Sequence, residues 1–90
     1  MPTFEDTIQR RDLDTNHHVN NANYVDFAYE SLPKDVYENY DFKNMEVTYK
    51  HELKLNDTIH GFYSKLENGD TIVTIKNKNT GVVNAIMKLY

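Results

Sequence analysis

Three polar side chains near the N-terminus of this 90-residue chain, Asp14, Asn16 and His18, are of types that can act together on a carbonyl group. They are spaced two residues apart, and an extended or looped backbone would turn them in roughly the same direction. We therefore expect them to share one pocket. A carboxylate and an imidazole that meet in a pocket can activate water, while an amide positions the group under attack.

A helix must follow this polar run and position it. Apolar residues recur from Val19 onward at steps of three and four, which predicts a central helix that is covered on most sides. Asn20, Asn21 or Asn23 would begin the helix, and Pro33 would end it. The polar run would then lie at the helix N-terminus, where unpaired N–H groups and the helix dipole can hold a carbonyl oxygen that gains negative charge.

The same residues carry a resemblance to a known family. The run DTNHHVNN at residues 14–21, followed by Tyr24, resembles the D-x-N-x-H-V-N-N-x-x-Y signature of the acyl-ACP thioesterases of plants and bacteria. Residues 49–52, YKHE, resemble the Y-x-x-E segment that this family places on the strand after the helix. The order and spacing of the elements agree over the whole chain.

The resemblance implies an α+β hotdog fold, in which one long central helix is wrapped by a curved antiparallel β-sheet. It also implies hydrolysis of the thioester of a fatty acyl group on acyl carrier protein, with Asp14, Asn16, His18 and Glu52 as catalytic residues. Glu52 or His18 would be the general base on water, Asp14 would orient a partner, and Asn16 would position the carbonyl together with helix N–H groups. Leu53 stands where some members have cysteine, which leaves a carboxylate and histidine mechanism.

Enzymes of this family carry two hotdog domains in one chain, and residues 1–90 correspond to the second. We therefore expect a single hotdog domain that forms a homodimer or pairs with a second hotdog domain. Two other functions stay open at this point. One is an acyl-CoA thioesterase that acts as a homo-oligomer, and the other is a non-catalytic domain that binds an acyl group or a companion domain.

Simpler interpretations of the site residues also stay open. Asp14 and Asn16 could be cap and turn residues only, since both types bond to nearby backbone N–H groups. Residues 12–16 resemble the beginning of a calcium-binding loop. However, His17 stands where such a loop requires glycine, and Asn23 stands where it has a bidentate glutamate. Adjacent His17 and His18 diverge, so we expect no metal and no cofactor. Tyr24 is interpreted as a core residue.

Composition limits the function classes. A net charge of −4 argues against nucleic acid as a partner, because such binding rests on Lys and Arg. The chain has no cysteine, which excludes disulfides and a thiol nucleophile and suits a cytoplasmic protein. No apolar stretch approaches the ~18 residues of a membrane span, and residues 1–11 lack a signal-peptide pattern. We expect a protein that does not interact with membranes.

The remaining sequence predicts strands. Alternation predicts strands over residues 3–10 and, most clearly, 45–54, while residues 33–40 form a connection that contains a short helix or turn. Turn signals predict strands at 58–66, 71–77 and 82–90; the hairpin at Asn68-Gly69 would need positive φ at both residues. Strand 82–90 is apolar on both faces. Because four or five strands span about 19–24 Å and a helix is only ~10 Å across, the sheet must curl around the helix and use remaining apolar surface in an oligomer.

Overall fold

Five antiparallel strands and two α-helices make up the chain in the computed structural model, which describes residues 1–90. In chain order the elements are β1 (Phe4–Thr7), a 3-10 turn (Arg10–Asp12), α1 (Asn21–Ser31), α2 (Lys34–Glu38), β2 (Met45–Tyr49), β3 (Thr58–Lys65), β4 (Thr71–Asn77) and β5 (Val83–Leu89). This content confirms the predicted α+β class. Neither α-helix is long and apolar enough to span a membrane.

The strands form one sheet in the order β1-β3-β4-β5-β2. Strands β3, β4 and β5 are a meander, and each outer strand pairs with only one neighbour. Strand β2 therefore lies next to β5, at the opposite edge from β1. The sheet edge beside β2 is open, so its outward backbone groups have no strand partner.

Helix α1 begins and ends where the sequence predicts. The Asn20 side chain accepts a hydrogen bond from the backbone N–H of Ala22 at 3.0 Å, and the helix stops before Pro33. The prediction that the helix is covered on most sides is wrong. About half of the helix surface is covered: one side packs against the sheet, and Tyr29 packs edge-to-face on Tyr40, which follows α2. The exposed residues are Asn21, Ala22, Asp26 and Glu30. The buried helix residues are Tyr24, Phe27, Ala28 and Ser31.

The core lies between α1 and the inner face of the sheet. Leu53, which follows β2, and Ile8, which follows β1, are fully buried and anchor two loops in it. At Gly61 on β3 the helix comes so close that a Cβ atom would overlap the Ser31 hydroxyl. The fully buried strand residues of the core are Ile59, Val73, Ile75, Ala85, Met87 and Leu89.

Two predicted strands are much shorter in the structure, whereas β3 and β5 lack only one residue at one or both ends. Strand β1 stops at Thr7, because the chain then enters the 3-10 turn. Strand β2 stops at Tyr49 instead of residue 54. The N–H groups of Lys50 and His51 both donate to the carbonyl oxygen of Asn84, at 2.8 and 3.2 Å. Two residues after β2 therefore lie opposite one residue of β5, and the regular pairing of the two strands ends there. Glu52 therefore lies in a loop and not on a strand.

The predicted hairpins are present, with one difference in turn type. At Asn68-Gly69 only the glycine has positive φ, 94°. Leu66 pairs with Asp70, which leaves a three-residue loop with the glycine in the left-handed region. Strand β4 has its predicted bounds. The side of β5 that faces α1 is fully buried, while Ile86 on the other side is half-buried.

Candidate active site

A tight turn of residues 14–18 sets the position of His18. Leu13 and Val19 form an isolated antiparallel bridge, and the N–H of Asp14 donates to the carbonyl oxygen of His18 at 2.8 Å. His17 has a φ of 63°, in the left-handed region that few residues other than glycine adopt. The turn thus reverses the chain and places His18 just before α1.

The Asp14 carboxylate points back into this turn. Its Oδ1 accepts hydrogen bonds from the backbone N–H groups of His18, at 3.1 Å, and Asn16, at 2.9 Å. These two bonds hold the pKa of Asp14 below its ordinary value, with the bond from His18 contributing most. The expectation that Asp14 shares a pocket with His18 is therefore wrong, because the turn is closed and not extended. The structure supports the alternative interpretation of Asp14 as a residue that stabilises a turn.

Asn16 is exposed at the outer end of the same turn. Its side chain forms no hydrogen bond within the chain, and it does not line the cleft described below. The structure thus separates Asn16 from the cleft, again because the turn is closed.

His18 and Glu52 are brought into direct contact, as the resemblance implies. Nδ1 of His18 lies 2.7 Å from Oε1 of Glu52, although the two residues are 34 positions apart in the chain. One side chain comes from the turn before α1 and the other from the loop after β2. Both are about half exposed, at 60% and 48%. The pair is therefore open to a substrate from the solvent side.

The pair lies in an open cleft of about 340 Å³. Tyr24 and Tyr49 form an aromatic wall, with ring centroids 5.0 Å apart and an edge-to-face angle of 84°. Burial raises the pKa of the Tyr24 hydroxyl, and the neighbouring Tyr49 and Glu52 add to this shift. The cleft is lined by His18, Val19, Asn21, Tyr24, Tyr49, Lys50, His51 and Glu52.

Tyr24 is both a core residue and a cleft residue. It is only 5% exposed and packs edge-to-face on Phe27, as expected of a core aromatic. The sequence interpretation missed its second role, although its place in the signature was a usable signal. Lys50 and His51 were not predicted to line the cleft, since nothing in the sequence showed that β2 would end before them.

One backbone donor at the start of α1 remains free. Asn20 caps the N–H of Ala22 through its side chain and accepts the N–H of Asn23 at its carbonyl oxygen, 2.9 Å away. The N–H of Asn21 donates to no group of the chain. Asn21 is one of the residues that line the cleft, and its N–H lies at the positive end of the helix dipole.

Asp12, which sequence reasoning did not select, ties the turn to the helix. It is 8% exposed, and its two carboxylate oxygens accept hydrogen bonds from the Asn23 amide at 2.7 Å and the Gln9 N–H at 2.8 Å. Its carbonyl oxygen accepts the N–H of Asn20 at 2.9 Å. These bonds fix the backbone at Asp12, just before the turn, to the start of α1.

The chain contains no group of three or more His, Cys, Asp or Glu side chains arranged to hold a metal ion. The cleft instead combines a carboxylate and imidazole pair with the start of a helix whose first N–H is free. Such groups can carry a proton and stabilise a negatively charged oxygen.

Known proteins resemble this chain in sequence and in fold. The family model described as the acyl-ACP thioesterase C-terminal domain matches residues 4–88. The chloroplastic oleoyl-acyl carrier protein thioesterase of Coriandrum sativum is 35% identical over 66 residues, which cover 73% of this chain and 18% of that protein. The chloroplastic oleoyl-acyl carrier protein thioesterase 2 of Arabidopsis thaliana is 29% identical over 90% of this chain and 23% of its own length.

The crystal structure of an acyl-ACP thioesterase from Bacteroides thetaiotaomicron superimposes with a TM-score of 0.84 at 24% identity. The superposition covers 99% of this chain and 36% of that one. This likeness confirms the predicted hotdog fold. The chain thus spans about a fifth of the length of the two plant relatives and about a third of the bacterial structure.

Proposed function

The chain belongs to the acyl-ACP thioesterase C-terminal domain family, and we propose that it hydrolyses the thioester bond of a fatty acyl group carried on acyl carrier protein. The observation that carries this proposal is the 2.7 Å contact between His18 and Glu52 in a cleft at the N-terminus of α1. A paired imidazole and carboxylate next to a free N–H donor offer the groups that acyl transfer to water requires.

We assign the role of general base to His18. Its Nδ1 lies 2.7 Å from the Glu52 carboxylate. In the proposed mechanism the ring proton is on Nδ1, facing that carboxylate, so Nε2 carries the free lone pair and accepts a proton from water. The water oxygen then attacks the carbonyl carbon, and Glu52 stabilises the imidazolium that forms. When the tetrahedral intermediate collapses, the bond from carbon to sulfur breaks and His18 returns the proton to the thiolate. Free fatty acid and a thiol are the products.

The developing oxyanion needs donors that are already in place. We assign this role to the free N–H of Asn21, which acts together with the positive end of the α1 dipole. The family signature also implies that Asn16 positions the carbonyl. Because Asn16 lies outside the cleft, this role requires the bound substrate to extend to the exposed turn, where the Asn16 amide forms no bond within the chain. Asp14 orients His18 through the backbone bond at 3.1 Å.

We propose that a second hotdog domain covers the open side of the cleft. That domain would come from another copy of this chain or from the same protein. The open edge of β2 supports this pairing, as do the exposed side chains of Tyr49 and Tyr90, at 50% and 40%. An uncovered cleft would leave a fatty acyl chain in water, which is unfavourable for apolar surface. A cytoplasmic location stays a prediction; the plant relatives are named as chloroplastic.

The proposed function is tested by measuring hydrolysis of one fatty acyl group on two carriers, acyl carrier protein and CoA. We expect faster turnover, at equal substrate concentration, on acyl carrier protein. Faster turnover on CoA would assign the chain to the acyl-CoA alternative. Binding of either substrate without turnover in every assembly would show a non-catalytic domain and reject the proposal.

A further inference from the structure

We propose that Asn84 on β5 is a positioning residue for Glu52, a role that rests on the proposed function. Its side chain is 3% exposed. Its Nδ2 donates to the carbonyl oxygen of His51 at 3.2 Å and lies 3.5 Å from that of Glu52. Its own carbonyl oxygen accepts the N–H groups of Lys50 and His51. One buried residue thus holds the three residues that end at Glu52.

Glu52 needs such support because it lies beyond the sheet. The pairing of β2 with β5 ends at Tyr49 and Ala85, so strand bonds do not fix the next residues. On the far side of Glu52, the side chain of Leu53 is fully buried. The backbone at Glu52 is therefore fixed on its N-terminal side by the hydrogen bonds of Asn84 and on its C-terminal side by the burial of Leu53. The Glu52 carboxylate itself contacts only His18 among polar side chains.

The Asn84 side chain is not explained by stability alone. Its Oδ1 is buried and has no hydrogen-bond partner. A buried acceptor without a partner costs folding free energy, which an apolar side chain would avoid. Exchanging the amide oxygen and nitrogen would place the oxygen against two carbonyl oxygens, so the orientation of the amide is settled by its neighbours. What the amide contributes is its hold on the backbone at His51 and Glu52.

Asn84→Val tests this role, because valine fits a strand and removes both the donor and the unpaired acceptor. Thr71→Val is the matched control, since Thr71 is a 1% exposed polar residue of the same sheet, paired with Leu89 and away from the cleft. We measure kcat and KM on fatty acyl carrier protein and the ring nitrogen signals of His18 by NMR. These measurements use the assembly that hydrolyses thioester.

In Asn84→Val we expect kcat to fall about 10- to 100-fold with little change in KM, because a misplaced group costs rate more than binding. The Nδ1 signal of His18 should move towards that of Glu52→Gln. Thr71→Val should keep the kcat and the His18 Nδ1 signal of the unmodified protein. If Asn84→Val does not fold, Asn84→Ser, which also lacks the amide, takes its place with the same expected results.

The double variant Glu52→Gln with Asn84→Val decides whether Asn84 acts through Glu52. We expect its kcat and His18 signals to equal those of Glu52→Gln alone, since groups that act as one unit are not additive. An unmoved His18 signal in Asn84→Val, or the same fold-loss of kcat in both backgrounds, would overturn the inference. The His18 signal needs no substrate, so an unmodified protein without turnover would reject the proposed function while the role of Asn84 is still judged.

Discussion

Glu52→Gln should separate the chemistry of the cleft from the stability of the fold. The change keeps the shape and hydrogen bonding of the side chain and removes its charge. Because His18 and Glu52 are about half exposed in the free protein, their contact should contribute less than about 1 kcal/mol to the free energy of unfolding. Denaturant midpoints should therefore hardly change.

The effect on rate should be much larger, because the imidazolium forms only during the reaction, when substrate covers the pair. Two unit charges at the observed 2.7 Å attract by about 1.5 kcal/mol in water and about 6 kcal/mol at an effective dielectric of about 20. In a site closed by substrate, the attraction between the two charges should lie between these two values. A loss of about 3–4 kcal/mol corresponds to a roughly 10²- to 10³-fold lower kcat.

The assay is steady-state hydrolysis of a fatty acyl carrier protein by folded protein, with unfolding measured in parallel. Glu38→Gln is the matched control, since it removes the exposed ion pair of Lys34 and Glu38, 3.7 Å apart on α2 and away from the cleft. The control should keep full turnover. If folded Glu52→Gln retains more than half of the unmodified kcat, the carboxylate has no role in catalysis and our reasoning about the pair is wrong.

Three further predictions concern the turn, the core and the assembly. Asp14→Ala should lower kcat about tenfold or more, while Asp14→Asn, which keeps an acceptor for the two N–H groups, should largely restore it. Because the pKa of Asp14 is lowered, its support of the turn is fully present above the unfolded pKa of about 3.9 and is lost as pH falls through the lower folded value. The carboxyl carbon NMR signal of Asp14 should therefore change with a midpoint below that of an unfolded aspartate. Gly61→Ala should lower the free energy of unfolding by about 1–3 kcal/mol in denaturant titrations, because its Cβ meets Ser31; an unchanged value would show that α1 can move away. Sedimentation of the chain at micromolar concentration should give about twice the monomer mass of 10.6 kDa, and a mass near 10.6 kDa without loss of stability on dilution would contradict pairing between two copies of this chain.

Local patterns determined most of the secondary structure. The apolar spacing from Val19, the cap at Asn20 and the stop at Pro33 place α1 correctly, because these signals act within one or two helical turns. Strand β4 lies at its predicted bounds for a similar reason, since turn residues flank a short apolar run. The Asn68-Gly69 turn was misassigned in detail, because a three-residue loop needs positive φ at the glycine alone.

The site was only partly determined by sequence. The signature selected His18 and Glu52, and the structure joins them across 34 residues. Spacing alone misplaced Asp14 and Asn16, because the left-handed φ of His17 closes a turn that the two-residue spacing treats as extended. Residue types suggest which chemistry is available, whereas the direction of a side chain depends on backbone angles that neighbouring polar groups impose.

The remaining features depend on contacts between distant parts of the chain. The alternation of residues 45–54 is a correct strand pattern, yet β2 ends at Tyr49 because the Asn84 carbonyl takes two N–H groups and Leu53 enters the core. No local pattern shows that competition, since Asn84 is more than thirty residues away. The sequence by itself therefore determined most of the elements and the candidate reacting groups. Only tertiary structure decided that a strand would end early and leave Glu52 on a loop that reaches His18.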